Sequence, residues 1–337
     1  MGRLAIALAA VVLGATACGT ATSLRSAAPL RNVLVYAKPS RSFRVAMSAA
    51  PKTIWRARLD GTHAKRLASG NYPAVSPDGR WIAFGRGANL LVMPAAGGAA
   101  ERVYTFTGKD AGGQLSDAPT WAPDSRHLAF FGSDGLVVLQ PFSHRAQVVA
   151  EHAAPWFSFS PDSRKIVYSA GGPTGDDLYV IPIRGGTPVR LTFDHKSLAP
   201  VWGKPGIAFF RFTHGPFSDI WLSDGRPHHI RQLTHTRAGA WPVAFSADGK
   251  ELLAANPASH NGRLWAVDVT TGSARTLTPW VGDLFPQGLS VDGRTVLAAI
   301  GCGGMISPYG YIETIPFAGG KPHVIVHGPC RASWNAR

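Results

Sequence analysis

Charged residues make up only 16% of this 337-residue chain, and methionine and cysteine number four and three. The low charge comes with ten Trp and sixteen Phe. That much apolar area excludes a disordered chain. Three cysteines exclude a conventional Cys-rich zinc site. The chain has no His-Glu-x-x-His, no Cys-x-x-Cys and no glycine-rich phosphate loop. The usual signatures of zinc peptidases, dithiol redox centres and nucleotide sites are therefore missing. No cofactor or metal is expected.

Glycine and proline are plentiful, at 38 and 26. This favours many short strands joined by turns over long helices. The formal net charge is +14. A basic surface attracts nucleic acid, anionic lipid or acidic polymers. Here the cations are scattered about one per turn, as in Arg80, Arg126, Arg164, Lys250 and Arg294. No dense basic stripe interleaved with aromatics appears, so nucleic acid is not an expected partner.

Arg3 precedes an uncharged apolar run over residues 4–14. The run is too short to span a bilayer, which takes about 20 helical residues. A basic start, an apolar middle and small residues after it make a signal peptide over residues 1–17. Ala15-Thr16-Ala17-Cys18 resembles a bacterial lipobox, in which the cysteine is acylated and becomes the first residue. Ala15 stands where Leu is usual; simple cleavage is the alternative. Residues 18–31 read as a lipidated tether and residues 32–337 as the folded domain. The expected location is the extracytoplasmic side of a membrane.

One phrase recurs along that domain. Pro73-Ala-Val-Ser-Pro-Asp-Gly-Arg80 leads into Trp81-Ile-Ala-Phe84, and Pro119-Thr-Trp-Ala-Pro-Asp-Ser-Arg126 into His127-Leu-Ala-Phe130. Further copies end at Arg164, Lys250 and Arg294, and residues 200–206 form a degenerate one. The period is about 43 residues. Asp bonds the backbone two residues on, and Gly accepts positive φ, so each phrase is the turn of a hairpin. Two more short strands follow each hairpin. Four antiparallel strands per period make a propeller blade. Residues 32–36 resemble a second strand whose first strand is missing, and residues 329–334 resemble a lone first strand. Joining the two ends closes a ring. The expectation is an all-β, seven-bladed β-propeller closed by a C-terminal strand, with six blades as the alternative.

Ser-Pro-Asp-Gly-Arg followed by Ile-Ala-Phe, with Gly-Gly and Arg-Leu-Thr further on, resembles the TolB-like propeller repeat. The same WD-repeat-like unit occurs in propellers of prolyl oligopeptidase-type enzymes. The resemblance covers residues 32–334 and is specific for fold, because the repeated residues build turns. TolB carries an extra amino-terminal α/β domain for which this chain has no room. The peptidases carry a Ser nucleophile on Gly-x-Ser-x-Gly, a motif absent here.

Cys302 and Cys330 fall at a second-strand end and a first-strand start in neighbouring blades, on one face. A disulfide between them would lock the ring in an oxidising compartment, with two free thiols as the alternative. Ligand candidates belong to the loops joining second to third strands and one blade to the next. There the sequence offers Trp241, Trp280, His195, His214, His235 and Asp219. The twelve histidines divide evenly between the two faces, as chance would have it, so no catalytic histidine is assigned. Trp121, Trp202 and Trp334 recur in first strands, which points to packing between blades. The expected function is a non-enzymatic, monomeric cell-envelope lipoprotein binding a protein, peptide or glycan through its loop face. The alternative is a propeller lyase or hydrolase acting on a wall polymer or sugar.

Overall fold

A computed structural model describes residues 27–39, 52–107, 118–132, 135–172, 175–214, 217–236, 239–256, 262–279, 281, 284–301, 310–328 and 331–335. These form seven four-stranded antiparallel sheets. Blade 1 joins the two ends of the chain. It holds β1 (Val33–Pro39), β2 (Lys52–Arg58) and β3 (Lys65–Ser69), with β28 (Arg331–Asn335) on its inner edge. Blade 2 runs β4 (Asn71–Val75), β5 (Trp81–Arg86), β6 (Asn89–Pro94) and β7 (Glu101–Thr105). Blade 3 runs β8 (Thr120–Trp121), β9 (Leu128–Gly132), β10 (Gly135–Gln140) and β11 (Arg145–Ala150). Blade 4 runs β12 (Ala153–Phe159), β13 (Lys165–Gly172), β14 (Gly175–Pro182) and β15 (Val189–Arg190). Blade 5 runs β16 (Ser197–Gly203), β17 (Gly206–His214), β18 (Phe217–Ser223) and β19 (Ile230–Gln232). Blade 6 runs β20 (Trp241–Phe245), β21 (Glu251–Asn256), β22 (Arg263–Asp268) and β23 (Ala274–Thr276). Blade 7 runs β24 (Leu284–Leu289), β25 (Thr295–Ile300), β26 (Tyr311–Pro316) and β27 (His323–His327). Seven blades and the closing C-terminal strand are thus observed. The fourth strand of blade 4 is short: the ladder pairs Val189 and Arg190, and Leu191 N donates to Leu178 O at 2.8 Å beyond it.

The repeated phrase folds as a closed turn. In blade 2 the Ser76 hydroxyl donates to Asp78 Oδ1 at 2.5 Å, and Arg80 N donates to the same oxygen at 3.0 Å. Trp81 N donates back to Ser76 Oγ at 3.0 Å. The same Ser–Asp pair recurs at Ser160–Asp162, Ser246–Asp248 and Ser290–Asp292. Gly79, Gly249 and Gly293 hold positive φ in their turns, but blades 3 and 4 place Ser125 and Ser163 there, at φ 57° and 59°. Left-handed backbone costs a non-glycine residue about 1 kcal/mol. Both serines offset it with a bond across blades: Asp78 N donates to Ser125 Oγ and Asp124 N to Ser163 Oγ, each at 3.0 Å.

The proline that opens each phrase also has a place. Inner strands lose register at 71–74, 153–157 and 198–201, around Pro73, Pro155 and Pro200, and beside Pro242 and Pro286. Proline cannot donate to a ladder, so the strand bulges where it stands.

Burial follows from period 2. Trp81 and Ala83 pack against blade 3, whereas Ile82 and Phe84 pack against blade 1. Successive side chains of one strand therefore serve opposite neighbours, which explains the unbroken apolar run in each second strand. Seven apolar clusters result, one per blade interface. Trp121 Nε1 donates to Ala74 O of the preceding blade at 3.0 Å, as its recurrence in first strands anticipates. On the outer side, Arg56, Gln147, Arg231 and Arg275 each donate to a carbonyl just past the third strand of the next blade.

Candidate functional site

Loops from second to third strands and from blade to blade share one face, the loop face. The first-to-second and third-to-fourth turns share the opposite, turn face. The loop face over blades 4 to 6 carries a connected band of polar and aromatic side chains. Its base is Asp177, near the start of β14 and 1% exposed. Asp177 accepts from Arg190 Nη2 at 2.6 Å, Thr192 Oγ1 at 2.9 Å, Asp194 N at 3.0 Å and His195 N at 3.1 Å. His195 Nδ1 stands 3.1 Å from its second oxygen. Burial opposes ionisation, yet the donated bonds from Arg190, Thr192 and the His195 backbone outweigh it and hold the carboxyl below its ordinary value. Asp176 beside it is pushed up by burial and by the Asp177 charge. Gly175 lies against the His195 carbonyl, where a Cβ would collide with the backbone. The blade-to-blade connection is thus clamped onto β14.

Blade 5 repeats the device. Asp219 on β18, 4% exposed, accepts from Thr234 Oγ1 at 3.1 Å, Thr236 N at 2.7 Å and Gln232 Nε2 at 3.1 Å. The hydroxyls of Thr192 and Thr234 in turn accept from Leu178 N and Ile220 N. In blade 6 Thr278 accepts from Leu264 N, with Arg263 at the Asp position. A carboxylate with this many donors has little acceptor capacity left for a substrate proton. The latch was not read from the sequence. Its signal is an Asp at the start of a third strand and a Leu-Thr fifteen residues on.

Asp194 forms an ion pair with Arg211, whose guanidinium lies 4.6 Å from the centre of the Trp221 ring. Phe210, next in the chain, stacks on Trp241 of blade 6 at 4.7 Å and 7°. Of the residues singled out by sequence, His195 and Asp219 therefore belong to the latches, and Trp241 is a half-buried stack between blades. His235 is exposed beside Thr236. The backbone of His214 ends β17, but its side chain lies outside the described residues. So do Trp280, Cys18, Cys302 and Cys330. Among the described residues no group of three or more His, Cys, Asp or Glu could hold a metal ion. No helix among them is long and apolar enough to cross a membrane.

The turn face bears a cleft of about 730 Å³ between blades 2 and 3, a place to which sequence reasoning assigned nothing. Trp81 and Phe142 form part of its wall, with ring centres 5.1 Å apart. His127 Nδ1 lies 2.7 Å from Asp124 Oδ2, and Gln140 Nε2 lies 3.2 Å from His127 Nε2. Arg80 and Arg126 also border it. Ala27 reaches the same cleft, and Leu30 N donates to Gly79 O at 3.0 Å. The amino-terminal segment thus joins the propeller on the turn face.

Glu313 is a buried carboxylate outside both regions, on β26. Burial raises its pKa above the ordinary value of 4.5. The penalty for ionising it is absent below that value and grows as the pH rises through the folded one. Glu313→Gln is expected to raise the melting temperature at pH 8 and to leave it unchanged near pH 4. A difference that is the same at both pH values would contradict this origin.

No family model matches the chain. An uncharacterized protein of Agrobacterium fabrum is 26% identical over 185 residues, covering 52% of this chain. The match spans 62% of that relative's length. Similarity to solved structures is broader. TolB from Acinetobacter baumannii aligns with a TM-score of 0.56 at 15% identity, over 91% of this chain and 83% of that one. An oligogalacturonate lyase in complex with manganese gives 0.60 at 15% identity, over 88% and 86%. The acylaminoacyl peptidase of Pyrococcus horikoshii gives 0.62 at 15% identity, over 90% of this chain and 52% of that one. The shared feature is the TolB-like propeller fold.

Proposed function

We propose that this chain is an exported lipoprotein, anchored through Cys18, whose propeller binds a protein, peptide or glycan of the cell envelope through its loop face. The observation that carries this reading is the entry of the chain at the turn face, through Leu30 and Ala27. A tether leaving there points the loop face away from the membrane. The loop-face carboxylates Asp177 and Asp219 are engaged in latches, which suits a rigid scaffold more than a proton-transfer site. Half-buried Trp241, stacked on Phe210, offers an aromatic contact of the kind that dominates binding interfaces.

Two measurements test it. Mass analysis of the amino-terminal peptide from membrane-purified protein is expected to find acyl chains on Cys18, absent in Cys18→Ser. Cross-linking in intact envelopes is expected to capture a partner, with capture falling about ten-fold in Trp241→Ala. Trp241→Phe retains an aromatic stack on Phe210 and is expected to be intermediate. Equal capture by all three proteins would remove the loop face from the reading.

A further inference from the structure

We infer that the turn face is a docking surface for an anionic lipid bilayer. The inference rests on the exported, membrane-side reading above and adds the orientation and the lipid chemistry.

In the sequence the cations look scattered. The fold gathers them. Arg80, Arg126, Arg164, Lys204, Lys250 and Arg294 each sit in the first-to-second turn of a different blade, and all six are exposed. They form a ring of one cation per blade over six of the seven blades. Five of the six turns, all but that of Lys204, also carry an aspartate whose Oδ1 accepts from the backbone N–H two residues on, so these pairs nearly balance and the positive excess comes from the other cations of the face. Further exposed cations at the starts of strands or in turns on this face, including Lys65, Arg66, Arg145, Lys165 and Arg184, add positive charge.

The ring also has a fixed base. Arg80 N is held by Asp78 Oδ1 and its carbonyl by Ala95 N at 2.7 Å. Arg164 is held by Asp162 and Ile183 N, Lys250 by Asp248 and Val269 N, and Arg294 by Asp292 and Phe317 N. Each backbone is pinned on both sides while the side chain stays in solvent. Such side chains reach headgroup phosphates at little cost in backbone order.

The tether supplies the second argument. Cys18 precedes Ala27 by nine positions, at most about 30 Å of extended chain. Ala27 borders the cleft between Arg80 and Arg126. An anchor at Cys18 therefore holds the cationic ring within that distance of the bilayer. Several basic residues near an anionic surface strengthen attachment, and a lipid chain plus a basic patch is the pairing that makes anchoring stable.

The test uses full-length protein as purified from membranes, mixed with vesicles of phosphatidylcholine alone or with phosphatidylglycerol. The readout is the acetylation rate of individual lysines. Lys165 and Lys250 are expected to slow about five-fold or more with phosphatidylglycerol only, with recovery at about 0.5 M salt. Lys38 and Lys196, exposed on the loop face, are expected to be unchanged. The variant R80Q/R126Q/R164Q/R294Q, altered only at exposed side chains, is expected to lose the protection. Equal rates in both lipids, or slowing of Lys38 and Lys196 instead, would overturn the inference. So would equal protection by soluble polyphosphate, which assigns the ring to a polymer. The acyl state of Cys18 is read on the same samples. Protection without acylation removes only the anchor, and acylation without protection removes only the docking surface.

Discussion

A chain ended after Gly328 is expected to lose its cooperative thermal transition and to become sensitive to protease at room temperature. β28 is the inner strand of blade 1. It pairs with β1 through five residues, from Val33↔Asn335 to Ala37↔Arg331. Ser333 Oγ accepts from Val75 N at 3.0 Å, tying blade 1 to blade 2. Trp334 packs in the cluster that joins blades 7 and 1, with Leu34, Tyr36, Leu297 and Ile312. Without β28, β1 exposes a ladder edge, and the ring opens between blades 7 and 2. Trp334 is half-buried, so its loss alone falls at the low end of the about 3–5 kcal/mol that a buried aromatic costs. The lost ladder brings the total near the whole stability of an ordinary domain, about 5–15 kcal/mol. A permuted chain with residues 329–337 moved ahead of β1, joined by a short turn, restores the antiparallel pair locally and is expected to recover the transition. A truncated chain that melts like the full one would show that ring closure contributes little.

Asp177→Ala is expected to destabilise the protein by about 3–5 kcal/mol, because it leaves the Arg190 guanidinium and several N–H and O–H donors without their acceptor. At this chain length that corresponds to a fall in Tm of roughly 5–8 °C. Asp177→Asn keeps one carbonyl acceptor and is expected to fall between. The pH dependence distinguishes the charge from the packing. The folded pKa is depressed, so the ionised carboxylate contributes stability above its ordinary value of 3.8 and loses it as the pH falls through the folded value. The gap between wild type and Asp177→Asn is therefore expected to narrow below about pH 4. A gap that stays constant down to pH 2 would assign the whole effect to packing. Thr192→Val removes only the hydroxyl and is expected to cost about 1–2 kcal/mol.

The propeller was legible because its turns are chemically demanding. A Ser, an Asp two residues on and a residue tolerant of positive φ leave a recurring trace, and even the degenerate copy at residues 200–206 joins β16 to β17, with Lys204 and Pro205 as the turn. The first-strand tryptophans were legible as packing for the same reason. The latches were not, since each needs partners fifteen residues apart and the Asp is replaced by Arg263 in blade 6. Asp219 illustrates the difficulty. In sequence it is a polar residue near a loop, and only burial and its donors turn it into a fastening. The cationic ring is the reverse case. One Arg or Lys per turn carries no message in one dimension and becomes a surface only when blades bring turns 38 to 46 residues apart onto one face.

The outer rim has a consequence of its own. β15 has two residues, and β19 and β23 have three each. Longer outer strands begin with charge, Lys65-Arg66 on β3 and Arg145 on β11. Proteins confined to a surface meet one another edge to edge far more often than in free solution. Outer strands that are brief or begin with charge give a neighbouring copy almost no template on which to add another strand, and β27 (His323–His327) is the edge that is neither. Crowded side by side, such propellers would find their partners for zipping into fibres at that one blade.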